Sequence, residues 1–314
     1  MADAEAPPGP GFAVRLAAVV AGRESQVVLG LDPDPARLWP RALDAGATEG
    51  PPAERAARAV VAHCRALIDA AGPACAAAKP QLACFERLGA AGWAALVEVV
   101  EHARAAGLLV LADGKRGDIA VSAAAYGQAL VGLTPTPFGP VAGLGADAFT
   151  ASPYLGVDTL ETLLEAARAA RAGMFVLVRT SNPGAADLED AELAEGGPLW
   201  ERVARIVADL GATGAPDPAA PLHDVGAVVG ATAPEHVGRM RELMPRTVFL
   251  LPGIGAQGGR VEDLAPAFAP HRAAGLVTAS RSIATAHERA GDATPESAAR
   301  AEAERLRAAA WALA

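Results

Sequence analysis

The sequence is poor in the residues from which many kinds of site are built. It has three cysteines, Cys64, Cys75 and Cys84, too few and too oddly placed for a disulfide framework. That usage suits a reducing compartment. Its six histidines are scattered, with no HExxH pair and no CxxC. No dedicated zinc site is expected, and no metal is assigned. Basic residues are outnumbered by acidic ones, 27 to 36, for a net charge of −9. No global positive field invites nucleic acid or an anionic membrane. Nor is any uninterrupted apolar run long enough to span a bilayer. The start, MADAEAPPGPGF, is acidic and proline-rich and lacks the basic-then-apolar pattern of a secretion signal. The expectation is a cytoplasmic protein whose partners are neither membrane nor nucleic acid.

What the chain does have is apolar mass: 52% of 314 residues are hydrophobic, enough for a large core. That length suits two small domains or one α/β barrel. Residues 1–12 read as a loose tail, and a helix is expected from about Ala13 to Arg23. Apolar strand signals then recur at Val27–Asp32, Ala76–Gln81, Leu108–Leu111, Ala148–Tyr154, Met174–Ser181, Val225–Val229, Val248–Leu251 and Leu276–Ser280. Helical sequence separates them. Strict alternation favours a parallel sheet covered by helices, and eight units favour a closed (β/α)8 TIM barrel occupying residues 13–314 as one domain. A doubly wound open sheet is the alternative. A Pro/Gly/Ala-rich insertion, Gly211 to Leu222, reads as a long surface loop.

The most informative stretch is LLVLADGKRGDI, Leu108 to Ile119. It opens as a strand buried on both faces and ends in a burst of charge: Asp113, Lys115, Arg116 and Asp118. Asp113 and Lys115 are two apart, so on an extended strand they point the same way. A surface turn with a solvated ion pair is the bland reading. A catalytic edge is the better one, because a buried strand seldom ends in so many charges without use. The other strand tips agree. They carry Asp32, Lys79, Thr180-Ser181-Asn182-Pro183-Gly184 and Ser280-Arg281-Ser282.

Gly253 to Gly258, GIGAQG, literally matches a dinucleotide-binding fingerprint. It stands late in the chain, and no Asp or Glu between Asp263 and Glu288 is available to hold a ribose. It reads better as a mobile loop whose backbone N–H groups, Gly255 among them, and Gln257 close over a phosphate. Loops after the seventh and eighth barrel strands commonly do this. Arg281 at the eighth tip offers the bidentate cation a phosphate favours; a surface salt bridge is its bland alternative.

These residues together resemble the orotidine 5'-phosphate decarboxylase family, in particular its second, mycobacterial-type subgroup. The resemblance runs from about Gly30 to Ile283. It is carried by GLDP (Gly30–Pro33), KPQ with FERLG (Lys79–Gly89), ADGKRGDI (Ala112–Ile119), TSNPG (Thr180–Gly184), PGIGAQGG (Pro252–Gly259) and SRSI (Ser280–Ile283). It implies decarboxylation of orotidine 5'-monophosphate to UMP and CO2, the last step of pyrimidine synthesis, without metal or organic cofactor. It implies an array of Asp32, Lys79, Asp113 and Lys115, with Asp118 joining the site of a neighbouring subunit in a homodimer. Ser122 would contact the substrate, Ser181 would bond the pyrimidine amide, and Pro183 would line the loop over the base. Gln257 and Arg281 would grip the phosphate. The insertion and the N-terminal tail depart from the pattern.

The chemistry is coherent apart from the resemblance. Losing CO2 from a pyrimidine leaves negative charge on carbon with no electron sink. Lys115 can stabilise that charge and deliver the proton. Asp113 would crowd the departing carboxylate, and Asp32 and Lys79 would hold the ribose and orient the array. Two rivals stand beside this reading. A magnesium-dependent sugar-phosphate decarboxylase or aldolase shares D-x-K-x-x-D, but it carries a Glu at the second strand tip, where this chain has Lys79. A catalytically inactive nucleotide-binding barrel would be expected to lose Asp113 or Lys115.

Overall fold

The structure, a computed structural model, describes residues 9–213 and 220–314. Its strands are β1 (Val27–Leu31), β2 (Ala77–Pro80), β3 (Leu109–Arg116), β4 (Leu133–Thr134), β5 (Val141–Ala142), β6 (Ala148–Ala151), β7 (Gly173–Arg179), β8 (Val225–Val229), β9 (Phe249–Leu251) and β10 (Gly275–Ala279). β1 is buried at every position, as befits a parallel strand covered on both faces. All but β4 and β5 join one sheet in the order β1-β2-β3-β6-β7-β8-β9-β10, and β10 returns to pair with β1. Every pairing in it is parallel. The register Val27 to Val277 closes the ring, so the expected (β/α)8 barrel is found and the open sheet is excluded.

Inside the ring, Val28, Ala77, Leu109, Leu111, Ala148, Phe175, Val228, Leu250 and Leu276 form a continuous apolar filling. The helix Phe12–Arg23 plugs the N-terminal end. Its Leu16 and Val20 join the same cluster, and Phe12 meets Phe175 edge-on at 5.9 Å. Gly173 makes room for this: a Cβ there would lie 2.4 Å from the Phe12 ring. Phe12, assigned to the tail by sequence, is thus the first helical residue and only 2% exposed. Most of that predicted tail, residues 1–8, lies outside the described residues. With the lower end filled, the barrel presents a cavity at its C-terminal end.

Three further differences bear on the site. An antiparallel hairpin, β4–β5, follows the helix Ala120–Leu130 and stands outside the barrel. Strands β2, β6 and β7 stop earlier than their apolar runs suggest, so Gln81, Ser152 and Ser181 fall in the loops beyond. The helix Leu199–Ala212 runs into the predicted insertion, of which residues 214–219 lie outside the described residues. No helix among the described residues is long and apolar enough to cross a membrane.

Beside β1, the helix Pro52–Ala71 starts on a proline at its first turn, where the missing N–H is not needed. It buries His63, whose Nδ1 accepts a bond from the Trp39 N–H at 3.2 Å and whose ring stacks edge-on against Trp39. Burial first, and then the neighbouring His287, lower its pKa from 6.5 to about 4. The unfolded chain therefore binds a proton between these values that the folded chain refuses. Stability is fully present above pH 6.5 and falls as pH drops toward 4, by on the order of 3 kcal/mol from this group. Urea midpoints measured from pH 7.5 to 4.5 should fall less steeply for His63→Gln than for the parent. Equal slopes would mean that His63 titrates normally.

Candidate active site

Each functional side chain is delivered by a strand tip. β2 carries Lys79, one residue before its end, and β3 carries Asp113 and Lys115. Asp113 is the centre. Its Oδ2 accepts from Lys79 Nζ at 2.5 Å and from Gln81 Nε2 at 3.3 Å. Its Oδ1 accepts from Lys115 Nζ at 2.7 Å and from Thr150 Oγ1 at 2.9 Å. A carboxylate has about four lone-pair directions, and here each oxygen already takes two donors. Asp113 is therefore saturated. It can act on a ligand through its charge, but it has no free lone pair with which to take a proton.

The electrostatics follow from burial. The side chains of Lys79 and Asp113 are 6% and 7% exposed, whereas that of Lys115 is 43% exposed. Burial pushes the Asp113 carboxyl up, but the two ammonium groups, Lys79 foremost, outweigh it and hold the group far below the ordinary carboxylate range. Burial pulls Lys79 down, and Asp113 with Asp32 more than compensates, leaving its pKa above the ordinary lysine value. Both groups are thus ionised at neutral pH.

The path of β3 at this point is not that of a regular strand. Its register against β6 runs Leu111 to Ala148 and Ala112 to Phe149, then jumps to Arg116 opposite Ala151. Four steps along β3 match two along β6, so Gly114 and Lys115 lie in a bulge. Lys115 takes a left-handed φ of 48°, rare for a side chain of its kind. Gly114 packs against Leu82, where a Cβ would come within 2.7 Å of Cδ1. Asp113 and Lys115 do converge, but through this bulge and not through the two-residue repeat of an extended strand.

Asp32, Lys79, Asp113, Lys115, Ser181, Gln257 and Arg281 line one cavity of about 520 Å3. Leu177, Val228 and Leu250 form an apolar wall of it. At Gly30 a Cβ would lie 1.8 Å from Ser280 Oγ, so glycine lets the tips bearing Asp32 and Arg281 approach each other. The Arg281 guanidinium has no hydrogen bond or ion pair with the described residues. The loop after β7 is anchored by the Arg179–Asp190 ion pair at 2.9 Å and by Glu189, which accepts from the Thr180 N–H. Ser181 Oγ donates to Gln257 Oε1 at 2.8 Å, tying that loop to the glycine-rich one across the mouth.

Several predicted residues stand elsewhere. Pro183 and Gly255 sit in loops whose neighbouring residues line the cavity, but they do not line it themselves. The Gly255 N–H donates to Gly259 O and the Gly258 N–H to Gly255 O. In this conformation those amides are spent within the loop and not offered to a phosphate. Asp118 and Ser122 lie outside the cavity. Asp118 Oδ1 accepts from the Ile119 N–H, and Ser122 is exposed on the helix Ala120–Leu130. Sequence reasoning missed Gln81, Thr150 and Thr278. Gln81 closes the KPQ motif, two residues past Lys79 and so on the same inward face, and could have been found. The two threonines read simply as β-branched strand formers.

A family model, Orotidine 5'-phosphate decarboxylase / HUMPS family, matches residues 25–294. The chain belongs to this family. It is 41% identical over 278 residues to an orotidine 5'-phosphate decarboxylase of Rhodopirellula baltica, covering 88% of this chain and 89% of that one. It is 42% identical over 280 residues to one of Haloarcula marismortui, covering 88% of each. Among solved structures, a putative orotidine 5'-phosphate decarboxylase of Streptomyces avermitilis superposes with a TM-score of 0.73 at 32% identity, over 98% of both chains. A putative orotidine-monophosphate-decarboxylase of Toxoplasma gondii gives 0.75 at 27% identity, over 96% and 97%. Family membership thus rests on nearly the whole barrel, not on the D-x-K-x-x-D motif alone.

A chemical property of this member follows from its composition. Lys79 and Lys115 are the only lysines among its 27 basic residues. Mild reductive methylation should therefore modify Lys115 and the terminal amine, leaving the buried, ion-paired Lys79 untouched until the protein unfolds. Peptide mass spectrometry reads the two sites separately. Equal rates at Lys79 and Lys115 would contradict the buried pair.

Proposed function

We propose that this chain converts orotidine 5'-monophosphate to UMP and CO2, the closing step of pyrimidine nucleotide synthesis, with Lys115 as proton donor. The observation that carries the reading is the Lys79–Asp113–Lys115 array, an ammonium on each side of a saturated carboxylate. The motifs GLDP, KPQ, ADGKRGDI and PGIGAQGG support a place in the second, mycobacterial-type subgroup.

In the proposed reaction the bond between the ring carbon and the carboxylate breaks, CO2 departs, and the electron pair stays on the ring carbon. Lys115 Nζ gives that carbon a proton and is reprotonated from solvent. Two ammonium groups flank the Asp113 carboxylate, and the partly exposed Lys115 ammonium is the one placed to stabilise negative charge developing on the ring carbon. Asp113 faces the substrate carboxylate with no lone pair to share, so their repulsion is relieved as CO2 leaves. Asp32 and Lys79 orient the ribose and the array. Ser181 meets the pyrimidine amide, with Pro183 in the covering loop. Arg281, free of protein partners among the described residues, and Gln257 take the phosphate. Ser181 and Gln257 bond each other in this structure, so for both to meet the ligand that bond would have to open. Phosphate binding would thereby drive the loop rearrangement that encloses the base.

Lys79 also separates this reading from the sugar-phosphate rival. It puts a buried ammonium where a divalent cation would need a carboxylate. Purified protein should decarboxylate orotidine 5'-monophosphate in excess EDTA at an undiminished rate. Lys115→Ala should lower kcat by about 10^3-fold or more while UMP still binds within several-fold. Loss of activity to EDTA with recovery in Mg2+ would move the chain to the sugar-phosphate branch. Near-normal kcat in Lys115→Ala would remove it from the proton-donor role.

We further propose a homodimer with shared sites. Asp118 and Ser122 stand outside their own cavity, amid exposed apolar side chains. Ile119, Val121, Leu133, Phe138, Val141, Tyr154 and Leu155 are each between 45% and 99% exposed. An apolar face of this kind, next to a catalytic mouth, suits a two-fold contact that hands Asp118 and Ser122 to the partner's site. Mixing inactive Lys115→Ala with inactive Asp118→Ala under subunit exchange should then restore roughly a quarter of parental activity. About half of the dimers are mixed, and each has one intact site of two. Verified heterodimers without recovery would place Asp118 in its own chain's site.

A further inference from the structure

The bulge in β3 creates a problem that β6 solves. Skipping two residues of register leaves the Lys115 N–H without the carbonyl a regular ladder would supply. An unpaired amide at the wall of a buried array is costly, and Lys115 is already in a left-handed conformation that non-glycine residues avoid. The missing acceptor is the hydroxyl of Thr150. The Lys115 N–H donates to Thr150 Oγ1 at 2.8 Å, and the same hydroxyl donates its proton to Asp113 Oδ1 at 2.9 Å.

Thr150 is 1% exposed and is the only polar side chain in β6, among Ala148, Phe149 and Ala151. Valine would have the same shape there and would avoid the desolvation of a hydroxyl. Both capacities of this hydroxyl point to the array, one to the backbone of Lys115 and the other to the carboxylate that holds its side chain. The direction of the Thr150 proton is set as well. The amide can only donate to Oγ1, so the hydroxyl hydrogen is left for Asp113.

We infer that Thr150 is a positioning residue: its hydroxyl locks the Lys115 bulge to the Asp113 carboxylate and so aims the Lys115 ammonium into the cavity. It touches neither substrate nor reacting atoms and acts through Lys115. The inference rests on Lys115 and Asp113 being the reacting pair. Without the hydroxyl, Asp113 Oδ1 loses one of its two donors and the Lys115 amide loses its acceptor. The bulge can then relax, and Lys115 drifts from the position where it can protonate a ring carbon. The cost falls on the chemical step, since Gln257 and Arg281 lie beyond the tips of β9 and β10, on the other side of the ring from β3 and β6.

The test uses Thr150→Ser, which keeps the hydroxyl, against Thr150→Ala and Thr150→Val, which remove it. Ala and Val should lower kcat roughly 10- to 100-fold, the range expected of a misplacement near 1 Å. UMP affinity and KM should stay within about three-fold, and Ser should regain most of kcat. A structural role for the methyl group would give the reverse order, with Val near parental and Ser impaired. If Val fails to fold, Ser against Ala makes the same distinction.

A second measurement needs no activity. With two lysines in the chain, 15N-lysine labelling gives two backbone amide signals. Lys79, in the β1–β2 ladder, is the internal reference. Amide exchange at Lys115 should be slow in the parent and in Ser, and about ten-fold faster in Ala and Val, the worth of one hydrogen bond. Unchanged exchange and unchanged kcat in Ala would overturn the inference. Faster exchange in Thr150→Ala and Thr150→Val, combined with a parent that does not decarboxylate orotidine 5'-monophosphate, would leave the lock intact and overturn the proposed function instead.

Discussion

The buried carboxylate of Asp113 is the constraint on which the rest of the site depends. An ionised group this deep in a barrel is tolerated only when every lone pair is answered. Lys79, Gln81, Lys115 and Thr150 answer them, two on each oxygen. Those four donors come from three adjacent strands of the ring or their tips: β2 with the residue beyond it, β3 and β6. The carboxylate therefore fixes the relative position of three neighbouring tips. Breaking one bond leaves a buried charge under-compensated, so the array behaves as a unit and not as a set of separable contacts.

The barrel below the array makes that charge cluster affordable. Its interior is an unbroken apolar filling, sealed at the far end by the helix Phe12–Arg23. Low polarity strengthens each ion pair above it and keeps water to one side. The lateral arrangement is just as uneven. Lys79, Asp113 and Lys115 gather at the β2 and β3 tips, whereas Leu177, Val228 and Leu250 form an apolar wall, and Arg281 lines the cavity beyond β10 without a protein partner among the described residues. A ligand suited to this space has a flat body for the apolar wall, one anionic group set against the ammonium side, and a second anion within reach of Arg281. A nucleotide bearing a ring carboxylate has that distribution.

Most of this was legible in the residues, and what was not has a physical reason. Buried parallel strands announce themselves as short apolar runs, and charges at their ends mark the mouth, so Lys79, Asp113, Lys115 and Arg281 could be read directly. The bulge could not. It is a property of register between β3 and β6, strands separated by a helix and a hairpin, and only Gly114 hints at it locally. Thr150 was hidden for a related reason: a threonine in an apolar strand looks like any β-branched filler until its hydroxyl is seen to have two partners. The glycine-rich loop was read as open amides, yet Gly255 and Gly258 use theirs within the loop. Glycine content reports freedom of conformation, not which conformation is occupied.

One compositional fact bears on chemistry more than any motif. Of 27 basic residues, 25 are arginine, and the two lysines are the two ammonium groups of the array. Everywhere else the chain meets its need for positive charge with guanidinium, even in the core. There Arg241 donates to the carbonyls of Met244, Thr247, Ala267 and Ala274, and burial lowers its pKa to about 9. Charge alone therefore does not account for Lys79 and Lys115. Guanidinium is planar, broad and a poor proton donor; ammonium is compact and the stronger acid of the two. At Lys79, 2.5 Å from a carboxylate oxygen in a nearly closed space, the compactness is what is used. At Lys115, partly exposed and lining the cavity, the proposed reaction would use the dissociable proton. The same substitution logic predicts different failures at the two positions: arginine at 79 would be a packing lesion, whereas arginine at 115 would keep the charge and lose the acid.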